Sequence, residues 1–163
     1  MSAAAPAIFV ALEASSWGEA IRQSTWIYMT ANVGHILALV IFAGAVAVMD
    51  VRMSGAFAAT APGQVLRKAR RYAVAAVAGL AATGSILFTA EASHVILNPA
   101  FQFKLALIAL GLINVAAFEL FTAQKVKNLP PLTALPAAAR WAGSVSIAIW
   151  IAVAACGRSI AYF

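Results

Sequence analysis

The sequence predicts an all-α integral membrane protein: an antiparallel bundle of four transmembrane helices behind a short N-terminal interfacial helix. Three observations carry this. Of 163 residues, 64% are hydrophobic and 10% charged, with a mean hydropathy of +0.92, whereas about a quarter of the residues of a soluble domain are charged. The stretch 26–49, WIYMTANVGHILALVIFAGAVAVM, contains no Asp, Glu, Lys or Arg, and at ~1.5 Å of rise per residue it crosses the ~30 Å hydrocarbon layer. Further apolar stretches of similar reach follow, with the basic residues gathered between them.

In chain order, segment 1–25 has no Lys or Arg before the apolar run 7–12, which is too short for the core of a signal peptide, so nothing reads as cleaved. Ile8, Phe9 and Leu12, followed by Glu13, Ser15, Ser16, Trp17, Glu19 and Arg22, suit a helix lying in the membrane interface with Trp17 at headgroup level. Trp26 and Tyr28 then open the first span, 26–49, and Asp50 and Arg52 mark its exit. Pro62, Gly63 and the cluster Arg67, Lys68, Arg70 and Arg71 make 51–71 a loop leading into a second span at 72–89. Glu91 and His94 follow, and Asn98-Pro99 suits a helix start, with Asn as N-cap and Pro at the first helical position. The third span is 101–121. Gln124, Lys125, Lys127, Pro130, Pro131, Pro136 and Arg140 form the next loop, and Trp141 opens a fourth span, 141–162. Residues 26–163 are thus one transmembrane domain.

Orientation follows from charge. The link 50–71 holds five basic residues and the link 122–140 holds Lys125, Lys127 and Arg140, together eight of the eleven. Short cytoplasmic loops carry the excess of Lys and Arg, so both links face the cytoplasm, and both termini and the 94–100 turn are periplasmic, in a bacterial inner membrane. The net charge of +6 is therefore a matter of topology and anionic lipid; nucleic acid is not an expected partner. Cys156 is the single cysteine and forms no internal disulfide. Small residues should line the helix contacts: Ala31, Gly34, Ala38 and Ala45 on span one, Ala75, Gly79 and Ala82 on span two, and Gly143, Ser144, Ala148, Ala152 and Ala155 on span four. The remaining Leu, Ile, Val and Phe faces allow a homo-oligomer or attachment to a larger membrane complex.

The polar residues in or near the spans are Asn32, His35, Glu91, His94, Lys104, Asn114, Glu119 and Arg158. His35, nine residues beyond Trp26 and so ~13 Å deep, faces the small-residue seam. Lys104 and Arg158 lie about one turn in, and His94 lies at the surface. An imidazole at depth needs a partner, and three readings compete. In the first, His35 ligates a b-type haem, Lys104 and Arg158 pair with the propionates, and either His94 is a second ligand despite a depth ~10 Å shallower, or the haem is five-coordinate or takes a different sixth ligand. The protein is then an electron carrier. In the second, His35, His94, Met29 and Cys156 supply donors for copper. In the third, His35 is a satisfied histidine, bonded to Asn114, a carbonyl or a neighbouring subunit, in an accessory subunit without cofactor. Glu119, near the cytoplasmic exit, is structural, neutralised by Lys125 or water. No P-loop and no Ser-His-Asp spacing is present, which disfavours nucleotide or hydrolytic chemistry.

The segments ALEASSWGEAIRQSTWIY, VGHILALVIFAGAVAVMDVR, NPAFQFKLALIALGLIN and CGRSIAYF resemble an uncharacterised bacterial family of four-helix inner-membrane proteins across nearly the whole chain. Through His35-Ile36-Leu37 and the Phe101-x-x-Lys104-Leu105 pattern, the chain is also loosely similar to the copper-resistance D membrane proteins and the haem-binding protoporphyrinogen-oxidase bundles. This resemblance implies that His35 matches a ligand histidine and Lys104 the lysine beside it. The other histidines of those groups have no counterpart here.

Overall fold

A computed structural model describes residues 4–162, and every regular element among them is helical. Residues 1–3 of the N-terminal segment, and Phe163, lie outside the described residues. The helices are α1 Ala7–Glu13, α2 Ser16–Gln23, α3 Thr25–Met53, α4 Pro62–Ala90, α5 Ala92–Val95, α6 Pro99–Phe121, α7 Ala123–Lys127 and α8 Ala137–Ser159, with a 3-10 turn at Ile160–Tyr162. Of these, α3, α4, α6 and α8 are long and apolar enough to cross a membrane.

Helix boundaries follow local chemistry. Ser24 caps α3 by accepting from the Ile27 amide at 3.3 Å. Asn98 caps α6 by accepting from the Ala100 and Phe101 amides at 2.9 and 3.3 Å, with Pro99 first in the helix, as the Asn-Pro pair predicts. Three boundaries differ from expectation. The N-terminal segment holds two helices, because the Ser15 hydroxyl accepts from Gly18 N and restarts the chain as α2. The segment 51–71 is not all loop: α4 begins at Pro62, so Arg67, Lys68, Arg70 and Arg71 are helical. Basic side chains end a membrane span without ending a helix, since Lys and Arg are good helix formers. The 122–140 link likewise contains α7, which Val126, fully buried, pins to the bundle.

α3 packs along α4, α6 along α8, and α3 against α8. A methyl group built on Gly34 would stand 3.2 Å from Thr83, and one on Gly79 3.4 Å from Ala38, so α3 and α4 run in opposite directions. Lys104 beside Gly157 and Gly111 against Trp150 show the same for α6 and α8. Small residues make these approaches possible, though not all on the expected faces. On α3 the buried positions are Ala31, Ala38 and Ala45 as expected. On α4 they are Ala69, Ala73 and Ala76, while Ala75 and Ala82 are exposed. On α8 Gly143, Ser146 and Val153 are buried, while Ser144, Ala148 and Ala155 are exposed. In a helix that is small or apolar all round, several stripes have the right spacing, and only the neighbours choose between them.

Two apolar clusters fill the half that holds the α3–α4 link: Phe42, Ala45, Val46, Ala73 and Ala76, and next to them Met53, Leu66, Phe118, Val126 and Ala139. Trp150 reaches across from α8, edge-on to Phe42 with ring centroids 4.6 Å apart. α4 and α6 meet through side chains near both ends, Phe88 stacked on Phe101 at 5.5 Å and Arg70 paired with Glu119. Glu119 is therefore neutralised by Arg70 and not by Lys125.

The other end carries a clasp. The Ser93 amide and hydroxyl donate to Glu13 at 2.8 and 2.5 Å, and Arg22 donates to the Glu13 and Ala90 carbonyls at 2.7 and 3.1 Å. Phe9 of α1 meets Phe88 edge-on at 5.8 Å. The two Ser93 bonds, aided by Arg22 and His94, hold the Glu13 carboxyl below its ordinary range, against a smaller opposing effect of burial.

Candidate functional site

His35 is half-buried on α3, and its surroundings come from all four long helices. Its Nδ1 lies 2.8 Å from Thr83 Oγ1 on α4. Next to it, Gly84 leaves the ring room: a Cβ there would stand 3.3 Å from His35 Cε1. Lys104 of α6 is close enough for its charge to act on the imidazole, and it interacts in turn with Cys156 of α8. Its ammonium lies 3.6 Å from where a Cβ on Gly157 would be, so this glycine makes space for the lysine.

The hydrogen bonds around Thr83 assign the histidine tautomer. Thr83 Oγ1 donates its one hydrogen to the Gly79 carbonyl at 2.7 Å, the usual back-bond of a helical threonine. It can then only accept from His35, which places the ring hydrogen on Nδ1 and the lone pair on Nε2. Nε2 has no hydrogen-bond partner among the described residues.

Of the four residues expected at the site, His35 and Lys104 share this seam, and the other two stand elsewhere. His94 is exposed on α5, where its charge acts on Glu13. Arg158 is exposed, donates to the Tyr162 hydroxyl at 2.5 Å and lies 4.6 Å above that ring. Asn114 donates to the Ala142 carbonyl at 3.0 Å, so it is not the partner of His35. Among the described residues no three His, Cys, Asp or Glu side chains lie together as a metal-binding group. Sequence reasoning missed Thr83, Gly84 and Gly157; the signal for the first two was a Thr-Gly pair inside the second span.

It also missed a second polar site. Asp50 and Arg52, read as marks of the membrane exit, are 2% and 1% exposed. Arg52 donates to the Thr60 carbonyl through Nε and Nη2, at 3.3 and 2.9 Å, tying α3 to the following link.

Four helices of membrane-crossing length, with exposed faces of Leu, Ile, Val and Phe, define a multi-pass membrane protein set in lipid. The chain belongs to the family described as a family of unknown function (DUF6644), whose family model spans residues 8–163. No curated protein and no solved structure matches it.

Proposed function

We propose that the protein is a redox protein of a bacterial inner membrane that holds a b-type haem in its outer half, with His35 Nε2 as the iron ligand and electron transfer as its role. One observation supports this: Thr83 Oγ1 lies 2.7 Å from the Gly79 carbonyl and 2.8 Å from His35 Nδ1, and with its hydrogen on that carbonyl it accepts from Nδ1 and leaves Nε2 with a free lone pair. This is the outer-shell arrangement that orients ligating histidines in general. The donor set fits one axial ligand. Lys104 would pair with a propionate, whereas His94 is exposed on α5 and Arg158 is bonded to Tyr162. Bound there, the haem would supply one-electron chemistry. The protein's part is to orient the imidazole, to hold its proton on Nδ1 and to exclude bulk water with apolar walls.

In this reading the antiparallel bundle has its termini and α5 on the periplasmic side, and α1 and α2 lie in the outer interface. The support is the basic bias of the two opposite links. A reporter fused after Phe163 should be active only in the periplasm, and one inserted near Gly63 only in the cytoplasm. The opposite pattern sinks the orientation.

The optical spectrum of detergent-purified protein, before and after dithionite, tests the haem. A Soret band that is lost in His35→Ala, with insertion intact, supports it, whereas colourless protein without stoichiometric iron after expression with ample haem refutes it. A second reading has its own support, because the Thr83 bond equally satisfies a histidine that binds nothing, as in an accessory subunit. Copper analysis of the same sample separates that reading from a copper site.

A further inference from the structure

The chain has five carboxylate side chains, and four have an evident environment. Glu13 is held by Ser93, Glu119 by Arg70, and Glu19 and Glu91 are exposed. Asp50 differs. It is 2% exposed, and its Oδ2 has no hydrogen-bond partner. The one side chain that acts on the carboxyl is Ser146 of α8, itself 5% exposed. Among the described residues the only ion pair is Arg70–Glu119. Arg52, two residues on, leaves its helix on another face and is committed to Thr60. Arg140 of α8 is exposed and makes no ion pair.

Nothing at this crossing of α3 and α8 can move apart cheaply. A Cβ on Gly143 would stand 3.0 Å from Met53 Cβ and 3.1 Å from the Asp50 carbonyl. Apolar clusters containing Val46 and Met53 lie on either side. A bare carboxylate is costly in such a place, so it must be paired or neutralised. One carboxylate and one hydroxyl are too few oxygens to replace the hydration shell of Ca²⁺, Mg²⁺ or an alkali ion, which leaves a proton.

We propose that Asp50, with Ser146, is a buried proton-binding site whose Oδ2 carries a proton. Along α3 it lies fifteen residues from His35, roughly 22 Å, so it is independent of the haem reading.

The infrared spectrum of purified protein in an ester-free detergent at neutral pH should contain a protonated-carboxyl C=O band that shifts in D2O and is absent from Asp50→Asn. Should Asp50→Asn fail to fold, Ser146→Ala takes its place and must move the band. Wild-type protein without the band overturns the proposal. So does a band unchanged in Asp50→Asn or, where that variant does not fold, in Ser146→Ala.

Discussion

The contact that joins the two helix hairpins is sensitive to a single methyl group. At Gly143 a Cβ would meet Met53 Cβ at 3.0 Å, the Asp50 carbonyl at 3.1 Å and Asp50 Cα at 3.5 Å. All three atoms are fixed by the α3 backbone, so Gly143→Ala must push the helices apart, at a cost of about 1–3 kcal/mol typical of overpacking. Against this stands the gain of about 1 kcal/mol from replacing glycine within a helix. Gly44, on the same α3, has nothing within 4 Å of its built Cβ, so Gly44→Ala has the gain without the clash. Because the propensity gain is common to both, the difference between the variants isolates the steric cost, about 1–3 kcal/mol with Gly143→Ala the less stable. Reversible unfolding in mixed micelles, titrated with sodium dodecyl sulfate, measures it. If Gly143→Ala proves as stable as Gly44→Ala, the α3–α8 approach described here is wrong.

Three further outcomes are expected. Thr83→Val should remove the acceptor for His35 Nδ1–H, cost about 0.5–1.5 kcal/mol and change the tautomer seen in nitrogen NMR of the ring, while Thr83→Ser should keep it; an unchanged tautomer in the valine variant refutes the assignment. Glu13 is held below its ordinary range by Ser93, so its clasp is fully present above the unfolded value near pH ~4 and is lost as pH falls through the lower folded value. The protection of the α1 amides, relative to their intrinsic exchange rates, should therefore fall in acid, and Ser93→Ala, which removes the hydroxyl donor but keeps the amide donor, should weaken that dependence. The Arg70–Glu119 pair is partly exposed, 45% and 38% for its side chains, so a double-mutant cycle should give no more than about 0.2–1 kcal/mol, shrinking in high salt; a larger coupling would mean that the pair is desolvated in the membrane.

The sequence by itself determined the class and number of the long helices, because hydrocarbon thickness and the need to satisfy every backbone group permit few alternatives to a long apolar helix. It also determined the caps, since Asn98-Pro99 acts through atoms within three residues of itself. His35 stood out for a similar reason: a lone imidazole in an apolar run is visible without knowing its neighbours. Its partner was not visible. Thr83 is one of many small residues on α4, and only the register of that helix against α3 brings it to 2.8 Å from the ring. The same register decided which small stripe is buried, separated His94 and Arg158 from the seam, and gave Glu119 to Arg70. Asp50 shows the limit most plainly. A charged residue after an apolar run reads as an exit from the membrane, but α8 crosses α3 at that level, and the crossing buries Asp50 with one oxygen unpaired. Local chemistry is written along the chain, whereas burial and pairing belong to contacts between residues far apart in it.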